Sequence, residues 1–289
     1  MIRCIVWLQG EQLEENLQLL QYHAIMELID VLGVVFDGEQ NNSYLPFNKI
    51  NKSEITNFDY DCIIVANTTK SIKEIVSETS LLKIDEEKII PIKAISLPGF
   101  NYGSYLKLRK NVPTIISQNC WGGIVYDMLG LPFKSPFINM YESKEDYIKL
   151  LSSPKKYMQY PLVFERFEYE TNLKRDYPVA KCGDILLHFN HYLTFEEAND
   201  CWLRRKERID WDNLIVVFFE EDPNKINNFL NMPYKNKICL APFEHPCKDV
   251  VAVAHENNNN CFCYYANLKA HDRNFYLYFF NYVVEKGII

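Results

Sequence analysis

The feature that most constrains the fold is an alternation of short apolar segments with segments of helical periodicity in the first third of the chain. From Leu13 to Leu28, apolar side chains return every three or four residues, which predicts a helix, and residues 70–78 predict another. The predicted strands are residues 2–8, 34–36, 61–66 and 88–92. Strands that alternate with helices form a parallel sheet with helices on its faces. The sequence therefore predicts an α/β fold with a Rossmann-like N-terminal domain, residues 1–105.

A dinucleotide would be expected at the first strand-to-helix turn of such a domain, but the residues there fit one poorly. That turn contains a single glycine, Gly10, where the dinucleotide fingerprint needs three. Glu11, Glu14 and Glu15 would also repel a pyrophosphate. Asp37 is placed where it could bind a ribose, although an acidic residue before glycine is ordinary turn chemistry. We expect this domain to be structural or regulatory and not to bind NAD.

A second α/β domain, residues 106–289, begins with a strand that runs through a glycine pair into a helix. Residues 112–117 predict the strand, Asn119-Cys120-Trp121-Gly122-Gly123 the turn, and residues 124–129 the helix. Amide groups at a helix start point outward, and the helix dipole favours an anion there. The turn therefore predicts an anion-binding site, with close packing of the helix on the strand as the alternative.

The rest of the chain predicts that the sheet of the second domain is mainly parallel. Residues 97–110, which are polar and contain proline and glycine, mark the domain boundary. Further predicted strands are residues 137–140, 162–169, 177–181 paired with 184–189, 214–219 and 237–241, and further predicted helices are residues 143–151, 194–208, 222–230 and 275–284.

Composition limits the class of protein. A net charge of −7 over 289 residues argues against a general nucleic-acid binder. Nine cysteines without a repeating spacing fit reduced thiols better than a disulfide framework. The first residues contain too short an apolar run for a signal peptide, and no 18-residue apolar segment exists. We expect a cytoplasmic protein, with peripheral attachment to a membrane left open.

Cys120 and Trp121 each allow two interpretations. Beside a helix start, a Cys120 thiolate would be stabilised and could act as a nucleophile with a histidine partner. The alternative is a small buried residue in a tight turn. Trp121 could stack on a sugar or a base, or fill the core.

His188 and His191 are the candidate catalytic bases. On a straight strand they would face opposite sides, and their spacing matches no standard zinc motif. One histidine at the carboxyl end of a parallel strand could act as a general base or bind substrate, because open α/β sheets bind ligands there. A histidine that is hydrogen-bonded within the core is the alternative.

The helix predicted at residues 194–208 ends in a basic cluster. Arg204 and Arg208 are four residues apart and would share a face, with Arg205 as their neighbour. Together they could clamp a diphosphate, although basic residues at a helix end also complement its dipole. Trp211 could stack on a ring, and Asp212 could bind a sugar hydroxyl or a metal, or bond only to nearby backbone.

A metal site is not expected. The histidines and cysteines near the C-terminal end lack a CxxC pair, which argues against zinc. These residues are Cys239, His245, Cys247, His255, Cys261 and Cys263.

Several ordered motifs in residues 110–244 resemble a bacterial domain-of-unknown-function family whose members are usually labelled exopolysaccharide-biosynthesis proteins. These motifs are Asn119-Cys120-Trp121-Gly122-Gly123, Leu131-Pro132-Phe133, Ser135-Pro136, His188-Phe189-Asn190-His191-Tyr192, Arg204-Arg205, Arg208-Ile209 and Trp211-Asp212-Asn213. The N-terminal third resembles small Rossmann-like domains attached to some sugar-modifying proteins. The resemblance implies a role in making surface polysaccharide and gives no reaction.

Residues and resemblance together predict glycosyl transfer from a nucleotide-sugar, with any cofactor unknown. The substrate-binding candidates are Asn119, Trp121, Gly122, Gly123, Arg204, Arg205, Arg208, Trp211 and Asp212. A Cys120-dependent acyl or group transferase or hydrolase is one alternative. A non-catalytic binding or scaffold protein of the assembly machinery is the other. The expected partner is an anionic small molecule such as a nucleotide-sugar, and not nucleic acid. Peripheral membrane or polysaccharide-assembly partners are left open.

Overall fold

In the computed structural model, the chain forms two compact units. The first unit comprises Met1–Asn111, Met128–Leu131 and Val283–Ile289, and the second comprises Val112–Asp127 and Pro132–Tyr282. The structure describes residues 1–9, 13–36, 46–67, 72–97, 100–171, 173–252, 279–280 and 282–287. Gly10 and Asp37, considered above for dinucleotide binding, lie outside these residues.

The first unit contains a four-stranded parallel sheet, as the alternating pattern predicts. Its strands are β1 (Ile2–Gln9), β2 (Ile29–Phe36), β3 (Cys62–Asn67) and β4 (Ile89–Pro91), in the order β2-β1-β3-β4. Its helices are α1 (Leu13–Ile25), α2 (Ile72–Leu81), α3 (Ile92–Ile95) and α4 (Tyr102–Lys110), with 3-10 helices at Lys52–Asn57 and Glu86–Lys88. The buried apolar side chains of the central strands form the core, because both faces of a parallel sheet are covered.

Three predictions for the first unit differ from the structure: the end of α1, the start of β2 and the content of residues 97–110. The helix predicted to reach Leu28 ends at Ile25, and Glu27 has a φ of 56°, which a right-handed helix does not allow. β2 begins at Ile29 and not at residue 34, so Gly33 lies inside the strand. A Cβ atom there would come within 2.8 Å of the Ile50 side chain. The stretch expected to be a polar boundary contains α4, whose Tyr105 is fully buried.

The second unit contains two sheets, one parallel and one antiparallel. The parallel sheet has the order β11-β10-β9-β5, and the antiparallel sheet has the order β6-β7-β8. The strands are β5 (Thr114–Ser117), β6 (Leu162–Glu170), β7 (Arg175–Cys182), β8 (Ile185–His188), β9 (Leu214–Phe219), β10 (Lys237–Ala241) and β11 (Val250–Ala252). The helices are α5 (Trp121–Met128), α6 (Lys144–Ser152), α7 (Pro154–Tyr157), α8 (Phe195–Lys206) and α9 (Ile226–Leu230). The expectation of a mainly parallel sheet therefore holds for only one of the two sheets.

Two predicted elements of the second unit are wrong or shorter. Residues 137–140 form no strand, since Pro136 lacks an amide hydrogen and Asn139 has a φ of 63°. The helix predicted from residue 222 begins at Ile226, because the Asp222 carboxylate accepts hydrogen bonds from Asn224 and holds a turn.

Near the C-terminal end, the described residues 279–280 and 282–285 are helical, and Phe279 is fully buried. The predicted start of this helix, residues 275–278, lies outside the described residues. Across the described ranges, no helix combines the length and the apolar content that crossing a membrane requires.

Candidate functional site

In the turn at the carboxyl end of β5, two backbone amides donate hydrogen bonds to side chains of the protein. Helix α5 begins at Trp121, so the glycine pair lies in the first helical turn and not before it. The Trp121 amide donates to Asn119 Oδ1 over 3.0 Å, and the Gly122 amide donates to Ser117 Oγ over 3.0 Å. These amides belong to the set that a helix start would offer to an anion. The buried Asn119 therefore caps the helix, and the geometry does not favour the expected anion site.

The glycine pair instead permits close packing of α5. A Cβ atom on Gly122 would lie 2.9 Å from Ser117 Oγ and 3.0 Å from Ile115 Cγ2. A Cβ atom on Gly123 would lie 3.0 Å from Ile138 Cγ2. The 2.9 Å contact at Gly122 would require Ser117 to shift, and the contact at Gly123 would be unusually tight. Glycine at both positions therefore lets the helix lie close to its neighbours.

Trp121 belongs to the core. Its side chain is 1% exposed and packs edge-on against Phe279, with 5.8 Å between ring centroids. A ring in this position cannot stack on a ligand, so the ligand-stacking interpretation is wrong and the core interpretation is correct.

Cys120 does not have the environment of a nucleophile. Its sulfur lies 3.7 Å from the carbonyl oxygen of Met140, and burial raises the pKa of the thiol to about 12. The thiol is therefore protonated near neutral pH, whereas an activated cysteine needs a lowered pKa. The structure gives no support to the cysteine-dependent alternative.

A buried carboxyl group at the same end of β5 was missed by the sequence reasoning. Glu142 is 3% exposed, and neither carboxyl oxygen has a hydrogen-bond partner among the described residues. The chain holds it there by hydrogen bonds between Gln118 and the Glu142 backbone. Burial, together with the negative charge of Asp146, raises the pKa of Glu142 well above its ordinary value. No local pattern marks this glutamate as buried, because it directly precedes a helix cap, Ser143, where polar residues are common.

His188 lies at the end of an antiparallel strand, so its expected place at the end of a parallel strand is wrong. Its Nδ1 atom is 3.2 Å from Glu168 Oε2, and its ring stacks on Tyr141 with 4.6 Å between centroids. The Tyr177 hydroxyl donates to Glu168 over 2.8 Å. The Tyr141 hydroxyl lies 2.7 Å from that of Tyr177 and donates to it, since Tyr177 has given its hydrogen to Glu168. Glu168 is therefore the centre of a polar network on the antiparallel sheet.

Burial, and not this network, keeps His188 neutral. Burial lowers the pKa of His188, and this effect outweighs the opposing effect of Glu168. A neutral imidazole can accept a proton, as a general base must. His191 lies beyond the strand and is exposed. Among the described residues, no group of three or more histidine, cysteine or acidic side chains could hold a metal ion.

The three arginines of the predicted clamp do not act together. Thr194 caps α8 by accepting from the Glu197 amide, but the helix ends at Lys206, so Arg208 lies beyond it. Arg205 donates to the Ile138 carbonyl over 3.3 Å and to a tyrosine hydroxyl. Arg204 is exposed and contacts Cys201, whereas Arg208 donates to a different segment. A shared helical face for Arg204 and Arg208 is therefore wrong.

Arg208 instead lines a cleft with Trp211 and Asp212, which we call the Trp211 cleft. Its volume is about 690 Å³. Lys155 Nζ lies 5.6 Å from the centroid of the half-buried Trp211 ring. The cleft is lined by Pro132, Phe133, Lys134, Lys155 and residues 207–212.

The loop that carries Trp211 is held by Asp210. Its amide donates to Thr114 Oγ1 over 2.8 Å, which fixes the loop to the start of β5. Its carboxylate accepts from the amides of Asp212 and Asn213 over 3.1 and 3.3 Å. The carboxylate of Asp210 is thus hydrogen-bonded to backbone amides, whereas the carboxylate of Asp212 forms no hydrogen bond with the described residues.

The candidate residues therefore divide between two ends of the parallel sheet. Thr114 pairs with Leu214 at the amino ends of β5 and β9, next to the Trp211 cleft. Ser117 pairs with Val217 at the other end, where residues 119–123 follow. The glycine turn and Arg208 were predicted to bind the same substrate. The length of the strands separates them, so they cannot line one cleft.

Comparison with known proteins gives a family without an assigned activity. Residues 1–90 match the model described as C2185-like, N-terminal. A Haemophilus influenzae (strain ATCC 51907 / DSM 11121 / KW20 / Rd) protein described as "Uncharacterized protein" is 35% identical over 143 residues, which are 48% of this chain and 66% of that protein. Residues 92–284 match the model described as Domain of unknown function (DUF1919). Because that match covers more than half of the chain, the protein belongs to the DUF1919 family.

Proposed function

We propose that the second unit binds a nucleotide-sugar in the Trp211 cleft and transfers its glycosyl unit during surface-polysaccharide assembly in the cytoplasm. The observation that supports this most is the collection of cations around one accessible indole ring. Lys134, Lys155 and Arg208 line the cleft together with Trp211. Basic groups suit a diphosphate, and an indole face suits a sugar or base ring.

Acidic residues of the cleft support a sugar ligand over a simple phosphate. Glu207, Asp210 and Asp212 are lining residues, so the cleft contains both signs of charge. A purely basic cleft would favour small anions, whereas carboxylates also accept hydrogen bonds from sugar hydroxyls. The ligand that matches this mixture has a charged phosphate part and a polyhydroxyl part.

Asp212 is the best candidate for the base in this reaction. Glycosyl transfer needs a group that removes a proton from the attacking hydroxyl. His188 and Cys120 do not line the cleft, and Asp210 is held by backbone amides. Asp212 is exposed, lines the cleft and is not committed to the loop.

The test is the melting temperature of the protein with a panel of nucleotide-sugars. A ligand that binds only the folded state raises the melting temperature, because it adds about 2.7 kcal/mol to the free energy of unfolding at one hundred times its Kd. We expect a rise with at least one compound, its loss in Arg208→Ala, and its retention in the matched control Arg204→Ala. A panel without any shift, or equal losses in both variants, would contradict the proposal.

A non-catalytic binding protein is the second candidate. The packed glycine turn and the core position of Trp121 favour it over a cysteine-dependent enzyme. Measurement of nucleoside diphosphate release separates the two: a ligand that stabilises the protein and is never turned over, with any acceptor, supports a binding protein. In either case we propose assembly proteins as partners and no nucleic acid, because the chain is acidic.

For the first unit we propose a Rossmann-like fold. The order β2-β1-β3-β4 corresponds to the first four strands of the doubly wound order 2-1-3-4-5. We propose that this unit does not bind NAD, because its first strand-to-helix turn contains one glycine and several glutamates.

A further inference from the structure

The antiparallel sheet exposes aromatic side chains on its outer strand. In the order β6-β7-β8, β6 is an edge strand, and its described pairing is with β7 alone. Phe164, Phe167 and Tyr169 are 41%, 52% and 61% exposed. An edge strand with exposed apolar side chains is a template for pairing with another strand.

The register with β7 shows which side chains share a face. Phe167 is opposite Pro178 and Phe164 is opposite Ala180, so both phenylalanines lie on one face of the sheet. Arg166 and Glu168 alternate with Phe167 and lie on the other face, where Arg166 donates to Glu168 over 2.8 Å. One face of the edge is therefore aromatic, and the other contains opposite charges.

We propose that two copies of this chain pair antiparallel along β6, with the twofold axis at Phe167. A twofold axis perpendicular to the sheet leaves each side chain on its own face. Residues that oppose each other must therefore face the same side, which requires the axis to pass through a residue and not between two residues. The strand is regular from Arg166 to Glu170, because the irregularity lies between Phe164 and Arg166.

Charge selects one register within this regular part. An axis at Phe167 places Phe167 against its copy and places Arg166 opposite Glu168 of the second copy, twice. Axes at Arg166 or Glu168 place like charges against each other. An axis at Tyr169 places Glu168 opposite Glu170, again with like charges. Opposite charges across strands stabilise a pair and like charges destabilise it, so the Phe167 register is preferred.

Neighbouring apolar side chains enlarge the paired surface. Phe164 lies against Phe195, with 5.7 Å between ring centroids, and the nearby Leu193 is 60% exposed. Edge strands are usually protected by charges, but charges of both signs do not repel a copy in the Phe167 register. The occupant that fits this edge is therefore a second copy of the chain.

Sedimentation of the full chain from about 1 to 100 μM tests the proposal, because that range covers weak to moderate dimers. We expect concentration-dependent dimers, with Arg166→Glu and Glu168→Arg each weakening the Kd at least about tenfold, since each places like charges together. The double variant Arg166→Glu/Glu168→Arg should restore dimers, because it restores the opposite charges. A monomer at every concentration, or a double variant as weak as the single variants, would overturn the proposal.

Phe167→Asp provides an independent variant that leaves the Glu168 network intact. It should give a folded monomer, whereas Tyr22→Asp, an exposed aromatic on α1 of the first unit at 57% exposure, should leave the dimer unchanged. Far-ultraviolet circular dichroism of each variant checks that loss of the dimer is not loss of the fold. A dimer that tolerates Phe167→Asp would show that the interface lies elsewhere.

Discussion

The two ends of the parallel sheet in the second unit use their polar residues in opposite ways. At the carboxyl end, Asn119 and Glu142 are buried and Trp121 fills the core. At the amino end, Arg208 and Asp212 are exposed and line a cleft with Trp211. The carboxyl end of a parallel sheet is where ligands usually bind, yet the Trp211 cleft lies at the other end.

The difference shows how side chains can close a potential anion site. A helix start offers free amides, but Ser117 and Asn119 accept from two of them. The glycine pair then allows α5 to lie against Ser117 and Ile138. The same composition that suits an anion site also suits close packing, and the capping residues decide between them.

The largest contrast is expected between the two tryptophans. Trp121→Ala should destabilise the protein by about 3–5 kcal/mol, because it removes a fully packed ring from the core. Trp211→Ala should cost roughly 1 kcal/mol or less and abolish the ligand-dependent shift, because its ring is half-buried in an open cleft. Urea denaturation of both variants measures the difference, and similar losses of stability would remove the contrast between the two ends.

The next prediction compares two helical glycines, Gly122 and Gly103, whose surroundings differ. Gly122→Ala should cost about 1–3 kcal/mol, because its Cβ atom would lie 2.9 Å from Ser117 Oγ. The control Gly103→Ala in α4 should be neutral or stabilising by about 0.5–1 kcal/mol, since its nearest atom would be 3.5 Å away. Chemical denaturation again gives both values. A neutral Gly122→Ala would mean that close packing does not require this glycine.

At about pH 5, just above the usual pKa of its carboxyl group, Glu142 gives the smallest of the three effects. Its raised pKa means that the folded chain keeps a proton which the unfolded chain releases above the usual value of 4.5. The stability from this group is thus complete below pH 4.5, and above it falls by about 1.4 kcal/mol per pH unit until the folded pKa is reached. Glu142→Gln lacks this loss, so its melting temperature should exceed that of the native protein by a margin that grows as the pH rises above about 5.

The exposed Glu145, in the first turn of α6, supplies the control for this prediction. Glu145→Gln should follow the native protein at every pH, because its carboxyl group is in water in both states. If the Glu142→Gln curve also ran parallel to that of the native protein, the buried carboxyl group would not be protonated in the folded state.

Local sequence patterns predicted most elements of both units but not all of their pairing. The runs that became β1, β3, β9 and β10 are apolar in themselves, so burial on both faces could be inferred. The apolar pattern of β8 does not give its direction, although its two-residue connection to β7 allows only an antiparallel pair. His188 was consequently placed at the end of the wrong type of sheet.

Of the candidate residues, Arg208, Trp211 and Asp212 share a cleft, while Gly122, Trp121 and Cys120 belong to a packed turn. Proximity in sequence explains the first group, since a short loop holds its residues together. Lys134 and Lys155 complete the cleft from distant segments, and no spacing rule connects them to the loop. Membership of the cleft is thus a property of the folded chain.

The sequence by itself determined the α/β class, the acidic charge and the position of most strands and helices, because periodicity and composition act over a few neighbouring residues. Tertiary structure decided which polar groups are buried, which amides donate to side chains and which residues line the Trp211 cleft. Those properties depend on atoms that are far apart in the chain, such as Ser117 against Gly122 or Asp210 against Thr114. A sequence motif therefore identifies candidate residues, but the packing of distant segments decides whether a ligand can reach them.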